Sequence, residues 1–161
     1  MTGITAGRAT VTKVVYHSFR LSCSTESAFE MFTSNKHLQA WLTVIADVVP
    51  AVGGKYELFW DRENMEENST KGCTITAMQP AAFISFDWKG PEQFKHFMNR
   101  DPLTHVTVFF LPAEDETDVH LIHSGWGSSR AWQEARLWFD KAWGRAFERL
   151  KKYVGAIPAH N

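Results

Sequence analysis

Few residues in this 161-residue chain combine a type and a spacing that could do chemistry, and the histidines come first. His120 and His123 stand in an alternating run from Thr117 to Ser124. Odd and even positions of a strand face opposite ways, so the pair does not chelate one metal. His123 turns inward beside Val106, where it would act as a ligand anchor or proton donor; a core histidine satisfied by a hydroxyl or a water is the simpler reading. Cys73 falls beside Trp88 with no histidine next to it, an apolar setting that disfavours the thiolate, so it reads as a small core residue. Ser124-Gly125-Trp126-Gly127 lacks the glycine spacing of a hydrolase nucleophile turn. Glu63, Glu66 and Glu67 make an acidic loop most simply left in water. The sequence contains no phosphate-binding glycine loop, cysteine-rich zinc pattern or paired inward carboxylates, so no metal and no cofactor are expected.

What stands out instead is aromatic. Seven Trp, twelve Phe and three Tyr bring the aromatic share to 14%, and such large apolar surfaces must be buried or used to hold a ligand. Any one of Trp60, Phe86, Trp88, Phe139, Trp143 and Phe147 is best explained by core packing. As a group on a concave surface they would leave irregular apolar gaps, the usual character of a ligand site. Tyr56, His17 and Asp87 are candidates for the few polar groups such a site needs, with Asp87 expected to point outward.

The elements that position these residues follow from periodicity. From Ser129 to Val154, Ala135, Phe139, Ala142, Trp143, Ala146, Phe147, Leu150 and Val154 recur at spacings of three and four. They line one face of a helix roughly 39 Å long, with Ser128 or Ser129 as N-cap and Gly155 followed by Pro158 as its stop. The basic residues from Arg145 to Lys152 are placed on its outer side, where they complement the helix dipole. Val11 to Leu21 reads as a first strand. Two short helices follow, one capped by Ser24 and one from Asn35 to Leu42. Six more strands are expected at Val44–Val49, Lys55–Asp61, Gly72–Met78, Phe83–Trp88, Thr104–Leu111 and Thr117–Ser124. Residues 1–10 read as a loose arm and 155–161 as a tail. Between Trp88 and Thr104, Pro91, Phe94, Phe97 and Met98 describe a short amphipathic turn that would cap one end of the sheet like a lid.

Two hairpins fix which side is which. Pairing Phe110 with Val119 sets Val108 against Leu121, Val106 against His123, and Phe109 against His120. Pairing Ala77 with Ile84 sets Ile75 against Phe86 and Cys73 against Trp88. Both registers give one mainly apolar face, joined by Tyr56, Leu58 and Trp60, and that face is assigned to the helix. The opposite face carries Phe83, Phe109, Leu111 and Ile122, an apolar patch that suits a contact between two copies.

One domain accommodates this length, and a domain of this size buries about 68–70% of its unfolded surface. A net charge of −1 gives no general attraction to nucleic acid. No signal peptide or membrane-length apolar run is evident, and two cysteines suit a reduced, cytoplasmic protein.

Five motifs in order then resemble one family: Lys36 to Trp41, Gly53 to Leu58, Gly72 to Ile75, Thr117 to Gly125 and Ala142 to Val154. The chain is similar, from about Val11 to Val154, to the C-terminal domain of the activator of the heat-shock chaperone ATPase, within the START-like superfamily. That resemblance implies an α+β helix-grip fold: a seven-stranded curved antiparallel sheet wrapped around the long C-terminal helix, with two short helices between strands 1 and 2. It also implies a hydrophobic cavity between sheet and helix. Chaperone activation belongs to larger relatives with an extra N-terminal domain, for which this length leaves no room, so the family name is not copied as a function. The expectation is a binding protein for a small apolar or amphipathic molecule held by Tyr56, Leu58, Trp60, Phe86, Trp88, Val108, Leu121, His123, Phe139, Trp143 and Phe147. The other readings are a cyclase or aromatase using His123 and a tyrosine to move protons, and an interaction protein working through the outer face.

Overall fold

The computed structural model describes residues 13–158, so the arm expected at 1–10 and the last three residues of the expected tail lie outside the described residues. Seven strands and four α-helices are found among them: β1 (Val15–Leu21), α1 (Thr25–Met31), α2 (Asn35–Trp41), β2 (Ile45–Val48), β3 (Tyr56–Phe59), β4 (Ile75–Gln79), β5 (Phe83–Trp88), α3 (Lys95–Met98), β6 (Thr104–Ala113), β7 (Glu116–Ser124) and α4 (Arg130–Ala156). A 3-10 turn at Glu92–Phe94 leads into α3. This is the α+β helix-grip arrangement, every strand pairing antiparallel and the long helix lying across the sheet.

Five strands form one ladder in the order β1-β7-β6-β5-β4, and β2 and β3 form a second. The division has a local cause. On β3, the Leu58 N–H donates to Thr70 Oγ1 at 2.8 Å, and the Thr70 hydroxyl donates to the Tyr56 carbonyl at 2.8 Å, so the loop ahead of β4 takes bonds that β4 would otherwise make. The two ladders still meet at the bridge Lys55/Thr74 and through Tyr56 N–H to the Cys73 carbonyl at 2.9 Å. On the other edge, α2 covers β2: Asn35 Oδ1 accepts from Val48 N–H and Gln39 Oε1 from Ala46 N–H, at 2.8 and 2.9 Å. One turn of helix separates those side chains and two residues of strand separate those amides, so one helix face serves the whole exposed edge.

The β6–β7 register is the expected one, from His105/Ser124 to Ala113/Glu116. The β4–β5 register agrees at Ile75/Phe86 and then slips, so that Ala77 faces Ser85 and Met78 faces Ile84. A bulge between Ile75 and Ala77 accounts for the difference: one extra residue reverses the alternation beyond it and brings Met78 onto the core in place of Ala77.

Helix α4 begins at its expected cap, Ser129 Oγ accepting from Trp132 N–H at 3.3 Å. It ends later than its glycine suggests. Gly155 is helical, and the chain leaves the helix at Ile157, whose ψ of 129° is the extended conformation favoured before Pro158. Of its apolar stripe, Ala135, Phe139, Trp143, Ala146, Phe147, Leu150 and Val154 are buried, and only Ala142 is not. Beneath the helix, Phe147 packs 4.3 Å from Phe19 and 5.5 Å from Trp143, while Phe32 meets Trp41 and Phe110 edge to face.

Candidate functional site

The segment after β5 builds one end of the molecule. Gly90 lies so close to Met98 that a Cβ there would come within 2.5 Å of its sulfur, and Asn99 Oδ1 accepts from Gly90 N–H at 2.7 Å. These contacts fold residues 90–99 back on themselves and bury Met98 completely. Phe94 and Phe97 then reach Trp138 and Trp132 of α4 edge to face, at 5.7 and 4.9 Å. On the other side Glu92 N–H donates to Asn68 Oδ1 at 2.9 Å, and Lys95 pairs with Glu67. The amphipathic turn thus bridges α4 and the acidic loop, with Pro91 as its N-cap and not at the first helical position.

Between that bridge, the end of β3 and the middle of α4 lies a cleft of about 380 Å³. Its walls are Trp60 and Trp88 on the sheet side and Trp138, Phe139 and Trp143 on the helix. Ala142 and Ala146, one turn apart, form the floor, and Ala142 is left uncovered because it faces this space. Polar groups stand at the rim: Asp61, Asn68, Lys89, Gln93 and Arg149. The Trp60 indole is fixed by its N–H to the Leu42 carbonyl at 2.9 Å, and its ring meets Trp88 edge to face at 6.0 Å.

The expected ligand-binding residues divide in two. Trp60, Trp88, Phe139 and Trp143 border the cleft. Tyr56, Leu58, Phe86, Val108, Leu121, His123 and Phe147 lie behind it, packed in the core and at most 3% exposed. Tyr56 stacks on Phe86 at 3.8 Å and donates its hydroxyl to the Phe32 carbonyl at 2.6 Å. Burial raises its pKa far above the usual phenol value. His17 is elsewhere, on β1 against α4, its Nε2 3.0 Å from both the backbone carbonyl and a carboxylate oxygen of Asp140.

His123 is completely buried and held from both ring nitrogens. The Trp143 indole N–H donates to Nδ1 at 3.1 Å, which leaves the proton on Nε2 to donate to Thr104 Oγ1 at 3.0 Å. The Thr104 hydroxyl in turn points to the Trp88 carbonyl at 3.5 Å. One directional chain therefore runs from α4 through β7 and β6 to β5, and it fixes a neutral imidazole. Desolvation pushes the His123 pKa from 6.5 down to about 3, with a smaller contribution from His105. Next to it, Gly125 adopts φ +94° where a Cβ would lie 3.2 Å from Thr104, and Trp126 donates its indole N–H to the His123 carbonyl at 2.8 Å. Ser124 to Gly127 is thus a packed turn into α4.

Burial also pushes the Cys73 thiol up to about 12 and the Cys23 thiol up to about 11, so neither is an activated nucleophile at neutral pH. Among the described residues no group of three His, Cys, Asp or Glu side chains could hold a metal ion, and no helix is long and apolar enough to cross a membrane.

Sequence reasoning missed Trp138, the two alanines as a floor, and Arg149. Arg149 was expected on the outer side of the helix; its Nε instead donates to the Trp41 carbonyl at 3.0 Å and its side chain borders the cleft. The signal was present in the spacing, since Ala142, Ala146 and Arg149 follow one another at steps of four and three.

The model of the family described as Activator of Hsp90 ATPase homolog 1-like protein matches residues 22–155. No curated protein matches the chain. Among solved structures, a Mesorhizobium loti protein is 20% identical, with 91% of this chain and 100% of that one aligned at a TM-score of 0.73. An HSP90 activator from Plasmodium falciparum is 21% identical (89% and 97% covered, TM-score 0.67). The Aha1 dimer from Colwellia psychrerythraea is 16% identical (89% and 96%, TM-score 0.67). At these identities the structures speak for the fold, and the match over residues 22–155 for descent: the chain belongs to the Activator of Hsp90 ATPase homolog 1-like family.

Proposed function

We propose that the protein binds a small apolar or amphipathic molecule in the cleft beside Trp60, Trp88, Trp138, Phe139 and Trp143. The observation that carries this reading is the uncovered aromatic wall. Trp60 and Trp138 remain 37% and 38% exposed, although the neighbouring core is filled. The volume of about 380 Å³ falls in the range of small-molecule pockets, about 300–1,000 Å³. Four of the seven tryptophans border the cleft, so intrinsic fluorescence reports occupancy directly. Titration with small aromatic and fatty probes should quench or shift that emission and raise the melting temperature. Probes that change neither, up to their solubility limits, would remove the binding reading.

The acid–base reading of His123 gains no support, because both ring nitrogens are bonded within the protein and Trp88 and Trp143 stand between it and the cleft. The two cysteines, both free, accord with a reducing compartment such as the cytoplasm.

A second reading, contact between two copies, is favoured by the outer face of the sheet. Tyr16, Phe109 and Leu111 are 52%, 37% and 49% exposed there, and a relative of the same fold is described as a dimer. Sedimentation velocity of the wild type and of Phe109→Asp tests it, a monomer at all concentrations counting against the contact.

A further inference from the structure

We propose that the molecule held in the cleft is a flat aromatic acid, its ring system lying over Ala142 and Ala146 and its carboxylate received by Arg149. The proposal rests on the cleft being a binding site and goes further by naming the chemistry of the occupant.

Three observations converge on it. Arg149 is oriented without being neutralised: Nε is spent on the Trp41 carbonyl, and among the described residues no carboxylate lies within ion-pairing distance of the guanidinium. That leaves the two Nη groups as a fork, the geometry that takes a carboxylate by two parallel bonds. Next, the other cation at the rim, Lys89, is a compact ammonium that does not match the two oxygens of a carboxylate as the Arg149 fork does. Lys89 donates its ammonium to the Lys71 carbonyl at 2.6 Å, and Asp61 Oδ1 is held by Glu63 N–H at 2.9 Å. Asp61, also on the rim, disfavours an anion placed beside it. Finally, the walls are indole and phenyl faces above a floor of two methyl groups. Trp60 and Trp138, 37% and 38% exposed, offer indole surface to a flat ring, while Trp88 and Trp143 close the back of the cleft against each other with their centroids 5.2 Å apart. From Trp138 to Arg149 is a rise of about 16 Å along α4, enough for a fused ring system and a short acidic arm.

Isothermal titration with naphthoate and with naphthamide, its neutral isostere, tests this on the full chain. Wild type should bind naphthoate about five- to tenfold more tightly, with the advantage shrinking as salt is raised. Arg149→Gln should erase the advantage while changing naphthamide affinity less than twofold, and Arg149→Lys should retain part of it. Ala142→Trp, which fills the floor at a position already partly exposed, should abolish binding of both probes; circular dichroism and a melting curve confirm that it folds. Equal affinity for the two probes, or a preference that survives Arg149→Gln, overturns the acid while leaving the cleft reading in place. Binding of neither probe overturns the aromatic acid and leaves the cleft reading to the fatty probes, whereas binding indifferent to Ala142→Trp overturns both.

Discussion

The two sides of Trp143 differ in kind. Toward the sheet, its indole N–H enters the His123–Thr104 chain, and the ring stacks on Phe147, which in turn packs against Phe32 and Trp41. Toward the mouth, the same side chain borders a cleft at which Trp60 and Trp138 stay part exposed. The same residue types fill one side and leave the other open, so aromatic content alone decides neither outcome. What separates them is size at the facing positions. Ala142 and Ala146 stand on the helix where Trp143, Phe147 and Leu150 stand on the core side, and the segment 90–99 bridges the end of the cleft without filling it.

That contrast can be broken first from the core. Phe147→Ala should cost about 3–5 kcal/mol in chemical denaturation, because the ring is buried among aromatics that cannot collapse into its place. A loss below about 1 kcal/mol would mean that the interior is as loose as the mouth.

Acid probes the same side. His123 is held neutral in the folded protein, with a pKa of about 3 against an unfolded value of 6.5, so below pH 6.5 the unfolded chain binds the extra proton. Stability contributed by the neutral histidine is complete above pH 6.5 and falls by about 1.4 kcal/mol per pH unit down to the folded pKa, about 3 kcal/mol by pH 4.5. Unfolding measured across this range should show that slope, and His123→Gln should flatten it.

Trp143→Phe keeps the ring stack but removes the donor to Nδ1, stranding a buried acceptor at a cost of about 1–3 kcal/mol. It should also raise the His123 pKa, visible in its imidazole proton resonances. On the open side, Trp138→Ala should cost less than about 1 kcal/mol, since the ring is part exposed, yet weaken any cleft ligand severalfold. A stability loss as large as that of Phe147→Ala would erase the distinction between the two regions.

How much of this was legible depended on whether a pattern is local. The β6–β7 register could be read because alternation runs unbroken through both strands and a one-residue slip would have exposed Val108 and Leu121. The β4–β5 register could be read only as far as Phe86, since a bulge leaves no mark on the sequence of a single strand. Gly155 misled for a related reason: a glycine is permitted in a helix at about 1 kcal/mol, and the actual stop lies in the restriction that Pro158 places on Ile157.

The sequence by itself determined the elements, the apolar stripe of α4, the inward aspect of His123 and the family, because each is written in spacings of two, three and four residues along one stretch of chain. The tertiary structure alone decided which aromatics close into core and which border a cleft, and that Arg149 turns toward it. Those outcomes depend on distances between stretches remote in sequence, such as Trp60, Gly90 and Ala142, and on the volume left between them, which no local periodicity encodes.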